Sequence, residues 1–219
     1  MERKDFIKKF DKIATKIYKG SGIKRTSIGS SWVIYTIDCF HFDLILEFAI
    51  ELDLETEGNP DQFYYALEAN CYWEHECEYG YNMSFGKSNH IPLTSKTDEL
   101  ESFLKESKLK IENLKEHLVD FDKAETFLLN HEYRTKENRN FFGNYILGIV
   151  CGLNNKVEKA KEYLFEVEGF GFIDDAYNYI YPKHLQNLIQ KATILHELVD
   201  DHERFTTKIN ELVKLHRGN

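Results

Sequence analysis

The chain has 219 residues, of which 42% are hydrophobic, 30% are charged and only 3 are proline. That is a globular composition, with enough chain for one sizeable core or two modest ones. A formal charge of −9 at pH 7 excludes nonspecific nucleic-acid binding, because a phosphate backbone would be repelled.

Residues 3–19 open the chain as an expected amphipathic helix, with Phe6, Ile7, Phe10, Ile13, Ala14 and Ile17 at helical spacing. Gly20-Ser21-Gly22 ends it. Its basic residues flank no apolar run, so it does not read as a secretory signal. Residues 32–38 (WVIYTID) are β-branched and aromatic and predict a strand. In 42–53, Phe42, Leu44, Leu46, Phe48, Ile50 and Leu52 alternate with mostly acidic or small residues, the period-two pattern of a strand with one buried face. A turn at 57–61 leads to a long alternation over 63–79, predicted to pair antiparallel with 42–53. The helix 3–19 is expected to cover the face made by Phe42, Leu44, Leu46, Cys71 and Trp73.

After Pro92 the pattern becomes helical. Ser95 or Thr97 is placed to cap a helix carrying Leu100, Phe103, Leu104, Ile111, Leu114 and Leu118. Helices are predicted near 122–132, 138–152 and 155–167, with an aromatic connection over 169–181. Residues 140–155 form an uncharged run of 16, short of the roughly 20 apolar residues of a membrane span, so a buried helix is expected there. Pro182 starts a last helix whose stripe runs about 30 residues, with Asp200-Asp201 as its weak point. The fold class is therefore α+β: an N-terminal helix on an antiparallel sheet of three or four strands, then an all-helical half ending in a long helix. The organisation is a unit over 1–92 and a helical half over 93–219, in a soluble, cytoplasmic protein without membrane contact.

The chemically densest stretch is Cys71-Tyr72-Trp73-Glu74-His75-Glu76-Cys77-Glu78-Tyr79. A zinc ion would need its ligands within about 2.0–2.3 Å. In an extended strand Cys71 and Cys77 lie about 20 Å apart at roughly 3.3 Å per residue, so they cannot share one. The same spacing separates Cys71 from His75 as a nucleophile and base. His196-Glu197-Leu198-Val199-Asp200 resembles the zinc-protease helix motif with aspartate in place of the second histidine. No histidine has a glutamate three residues before it, and there is no phosphate loop or nucleophile elbow. Four scattered cysteines (Cys39, Cys71, Cys77 and Cys151) make no disulfide framework. No catalytic residue, metal or cofactor is expected.

One charge pattern does stand out. From Thr26 to Gly86, 61 residues contain no lysine or arginine but 12 acids, whereas the preceding 25 residues carry nine bases and three acids. The expected partner-binding face comprises Asp43, Glu47, Glu51, Glu68, Tyr72, Glu74, Glu76 and Glu78, with Tyr64 and Tyr72 as amphipathic anchors. It would suit a basic protein. The matched apolar faces would set Asp43 beside Glu74 or Glu76 and Glu51 near Glu68, a like-charge cost.

The order of basic helix, Gly-containing turn with Lys24 and Arg25, Trp-led strand (Ser31-Trp32-Val33-Ile34-Tyr35) and alternating hairpin resembles small bacterial proteins of unknown function. Some of these are encoded as immunity proteins beside secreted toxins. The resemblance covers roughly the first 90 residues, has no diagnostic motif and transfers no functional residue. It implies a non-enzymatic immunity protein that neutralises a basic toxin domain. The alternatives are a metal-assisted hydrolase using His75, His90 or the His196–Asp200 region, and a helical scaffold in which 97–219 bind the partner.

Overall fold

The computed structural model describes residues 2–51, 61–71, 83–130, 141–169 and 182–217. Helix α1 (Arg3–Ile17) leads into strands β1 (Lys24–Ile28), β2 (Trp32–Cys39), β3 (Phe42–Glu51), β4 (Gln62–Cys71), β5 (Met83–Lys87) and β6 (Ile91–Pro92). Helices α2 (Thr97–His117), α3 (Phe121–Asn130), α4 (Phe141–Leu153) and α5 (Val157–Gly169) follow, then α6 (Pro182–Leu198) and α7 (His202–Arg217). The α+β class is as read from the sequence, with a larger sheet. Its order is β1-β2-β3-β4-β5, with β6 also paired to β4, which makes six strands among the described residues where three or four were expected.

The chain divides into two compact units. The first holds residues 1–70 and 82–116, the second 71–81 and 117–219. Helix α2 thus groups almost entirely with the sheet, although the sequence pattern changes at Pro92.

In the first unit, α1 ends where Gly20 and Gly22 take φ values of 81° and 83°, which cost glycine no Cβ clash. Strand β2 pairs antiparallel with β3 from Trp32↔Ala49 to Cys39↔Phe42. Burial alternates along β3 as the period-two pattern requires, with Phe42, Leu44, Leu46, Phe48 and Ile50 inside. Phe10 of α1 meets Phe48 and Phe63 at 4.8 and 4.7 Å between ring centroids, and Phe6 meets Phe63 at 4.9 Å. Phe103 of α2 completes this cluster against Phe48, Phe63 and Tyr65. Such ring pairs add about 0.5–1.5 kcal/mol each beyond burial. The rings that α1 touches are therefore Phe48 and Phe63; Trp73 lies outside the described residues, as does the expected strand beyond Cys71.

Buried hydroxyls in this core are matched. Tyr18 Oη lies 2.7 Å from Ser107 Oγ, and the Tyr35 hydroxyl donates to Asp11 Oδ1, also at 2.7 Å. Arg25 donates to the other Asp11 oxygen. Burial, together with the hydrogen bond to Asp11, pushes the Tyr35 hydroxyl well above the ordinary tyrosine range.

In the second unit, α4 is the central helix and packs on α3, α5 and α7. Residues 143–152 are all buried, as the uncharged run predicts. Asn155 ends α4 at φ 57°, and Lys156 N–H returns to the Cys151 carbonyl at 2.8 Å. The single long C-terminal helix is in fact two. Asp201 caps α7 by accepting from Arg204 N–H at 3.1 Å, an N-cap in the middle of an otherwise continuous stripe. Among the described residues no helix is long and apolar enough to cross a membrane.

Candidate functional site

Strand pleating sorts the sheet residues by face. Phe48, Phe63 and Tyr65 turn toward α1 and α2, so the alternate positions Asp43, Glu47 and Glu51 of β3 and Glu68 of β4 share the opposite, outer face. These are the four described members of the expected acidic surface. Tyr72, Glu74, Glu76 and Glu78 lie outside the described residues, as does the expected pairing of Asp43 with the last of these strands. Between the acids stand half-buried apolar side chains: Ile34 opposite Glu47, Trp32 opposite Ala49, and Ile45 opposite Thr36. The Trp32 indole rests on Gly29, where an added Cβ would come within 2.6 Å of the ring.

The acids are not left alone. Glu51 Oε2 is 2.5 Å from His90 Nε2. Asp61 takes two hydrogen bonds from Arg3 of α1, at 2.7 and 3.0 Å, and these hold its carboxyl below the ordinary range. Tyr64 is covered within the chain by Lys87 Nζ, 4.7 Å from its ring centroid, and by the His90 ring at 5.4 Å. The lysine-free block is thus partly neutralised by residues on either side of it in sequence. In the β2–β3 register Asp38 stands directly opposite Asp43.

The metal candidates do not converge. His196 Nδ1 lies 2.8 Å from Glu168 Oε1, while Asp200 binds Lys161 Nζ at 2.7 Å, so the two residues turn to different partners on α5. His90 is held by Glu51. His75 and Cys77 lie outside the described residues, and Cys71 is buried at the end of β4. Among the described residues no three His, Cys, Asp or Glu side chains gather as a metal site. Burial pushes the Cys39 thiol up to about 11, which keeps it protonated and a poor nucleophile.

Sequence reasoning missed a charged cluster in the second unit. Glu125 of α3 is buried and accepts from Lys156 and Lys159 at 2.5 and 2.7 Å. Lys156 and Asn154 also reach Asp122, each at 2.7 Å. The available signal was Glu125 standing three residues before Leu128 on the buried stripe of α3. Every polar end in this cluster has a partner, which makes it a clasp between α3 and the start of α5. No protein-family model, curated protein or solved structure matches this chain.

Proposed function

We propose that the protein is a non-enzymatic binding protein whose outer sheet face docks a basic partner, and that it acts as an immunity protein neutralising a basic toxin domain. The observation that carries the reading is the common face of Asp43, Glu47, Glu51 and Glu68, interleaved with half-buried Trp32, Ile34 and Ile45. Apolar side chains among acids give a surface that desolvates on contact and repels wrong partners by charge. The toxin assignment rests on the resemblance of the first 90 residues.

The test starts from partners captured in the source cell and ranked by affinity. The triple reversal Asp43→Lys, Glu47→Lys, Glu51→Lys should weaken the tightest partner by orders of magnitude while the melting temperature stays close to wild type. Association should slow as salt rises, since screening shortens the field to about 8 Å at physiological ionic strength. An acidic partner, or one that binds the reversed protein equally well, makes the face a solvated surface. Attention would then move to the helical half, where Phe165 is 63% exposed.

A further inference from the structure

Nine bases and three acids fall in the first 25 residues, and the fold holds most of those bases apart from the acidic sheet face. Helix α1 packs on the inner face of the sheet through Phe6 and Phe10, so the sheet stands between α1 and the outer Asp43, Glu47, Glu51 and Glu68. Lys4, Lys8, Lys12 and Lys16 follow one another at steps of four along the exposed side of α1, with Lys9 and Lys19 beside them. At 1.5 Å per residue the four make a row about 18 Å long, with a cation about every 6 Å. The two arginines of the segment are taken, Arg3 by Asp61 and Arg25 by Asp11. Among the described residues none of these six lysines has an ion-pair partner. Of the two acids in α1, Asp11 is held by Arg25 and Tyr35, and Asp5 stands in the first turn, where the helix dipole favours it. Helix α2 shows the ordinary arrangement: Lys110 pairs with Glu106 at 2.9 Å and Lys108 with Glu112 at 3.8 Å, each four residues away. Like charges at that spacing destabilise a helix about as much as opposite ones stabilise it. Stability alone would favour acids at alternate places in the α1 row.

We propose that the lysine row of α1 docks an acidic helix of a partner protein, one that carries glutamate or aspartate at steps of four. The inference does not depend on the acidic-face reading; it gives the same unit a second surface, of opposite sign, across the sheet. Spacing and charge select the occupant. Carboxylates four residues apart on a helix repeat about every 6 Å, the period of the lysines themselves. An extended polyanion is disfavoured, because a duplex or an anionic bilayer meets the field of the whole chain, whose net charge is −9. The apolar side of α1 is committed to the core through Phe6, Ile7, Phe10 and Ala14, so the helix has no face left to insert among lipids. The row is also built of lysine throughout. Planar forks that grip phosphate are the property of arginine, and both arginines here are engaged within the chain. A short acidic helix avoids these costs, since it meets the row alone.

The experiment measures fluorescence anisotropy of a labelled alanine-based peptide of about 20 residues, long enough to be helical, with glutamate at every fourth place. It is titrated with the full chain at low ionic strength, beside a peptide of the same composition in shuffled order, a DNA duplex and anionic vesicles. Wild type should bind the ordered peptide several-fold more tightly than the shuffled one, and added salt should weaken the complex. The variant Lys8→Glu with Lys16→Glu should lose about tenfold or more, because two attractions become repulsions. The same variant should melt at the same or a higher temperature, since its row alternates in sign as the α2 pairs do. A lower melting temperature would show that the lysines serve the fold, and that overturns the proposal. So does unchanged binding to the variant, equal binding of the shuffled peptide, or no binding of either. Tighter binding of the duplex or the vesicles than of the ordered peptide overturns the choice of occupant.

Discussion

Glu125 shows how one side chain can report the state of two helices, α3 and α5. Burial by itself would raise its carboxyl, but the hydrogen bonds from Lys156 and Lys159 outweigh that and hold it below the ordinary glutamate value. A depressed carboxylate contributes stability that is present above its unfolded value, about 4.3, and is lost as pH falls through the folded one. Glu125→Gln should therefore cost about 1.5–3 kcal/mol at neutral pH, the worth of hydrogen bonds to a buried charge. The gap from wild type should narrow as pH drops below about 4. Urea unfolding of both proteins across that range checks it; a gap independent of pH would mean that shape rather than charge is what Glu125 supplies. Asp122→Asn is the control, since Asp122 shares Lys156 but is exposed, and its effect should be smaller throughout.

Elements were legible in proportion to how much apolar surface each one buries. Helix α1 and strand β3 carry full stripes, and the sequence placed both to within two residues at each end. Strand β1 did not show, because Lys24, Arg25, Thr26 and Ile28 are all exposed and a bulge between Arg25 and Ser27 breaks its alternation. Its conformation comes from pairing with β2, and its charges and bulge also guard the sheet edge. The split between α6 and α7 was visible only as the pair Asp200-Asp201, since no glycine or proline marks it. Helix α4 owes its position to what it lacks. An added Cβ on Gly152 would lie 2.4 Å from Phe205 Cζ, and one on Gly148 2.7 Å from Leu164 Cγ. Phe205 is fully buried, so its ring has nowhere to turn. Gly152→Ala should cost about 1–3 kcal/mol by overpacking, despite alanine's better helix propensity. Adding Phe205→Leu should return part of that loss, a coupling readable in a double-mutant cycle. Strict additivity would show that the two residues do not press on each other.

At the scale of the whole chain, charge segregation was plain in the sequence, but the cations that return to it were not. Arg3, Lys87 and His90 come from outside the lysine-free block and reach Asp61, Tyr64 and Glu51 only through the fold. The unit boundary was hidden similarly, because periodicity reports the kind of element and not its neighbours. Helix α2 looks like the first member of the helical half, yet its Phe103 lies 5.1 Å from the Tyr65 ring and 6.1 Å from those of Phe48 and Phe63. Ser107 partners the Tyr18 hydroxyl, and Glu106 accepts from Tyr65 at 3.0 Å. The helix buries Leu100, Phe103, Leu104, Ile111 and Leu114. At roughly 1.5–3 kcal/mol for each such side chain, that burial is comparable to the entire net stability of a domain, about 5–15 kcal/mol. A fragment of residues 1–92, cut where the sequence pattern changes, should therefore fail to fold: it keeps the sheet but opens its aromatic face and strands the Tyr18 hydroxyl. A fragment of residues 1–117 keeps α2 and should show a cooperative thermal transition with near-ultraviolet circular dichroism from its packed rings. If 1–92 melted as cooperatively as 1–117, α2 would be a cover on a core that α1 and the sheet complete by themselves.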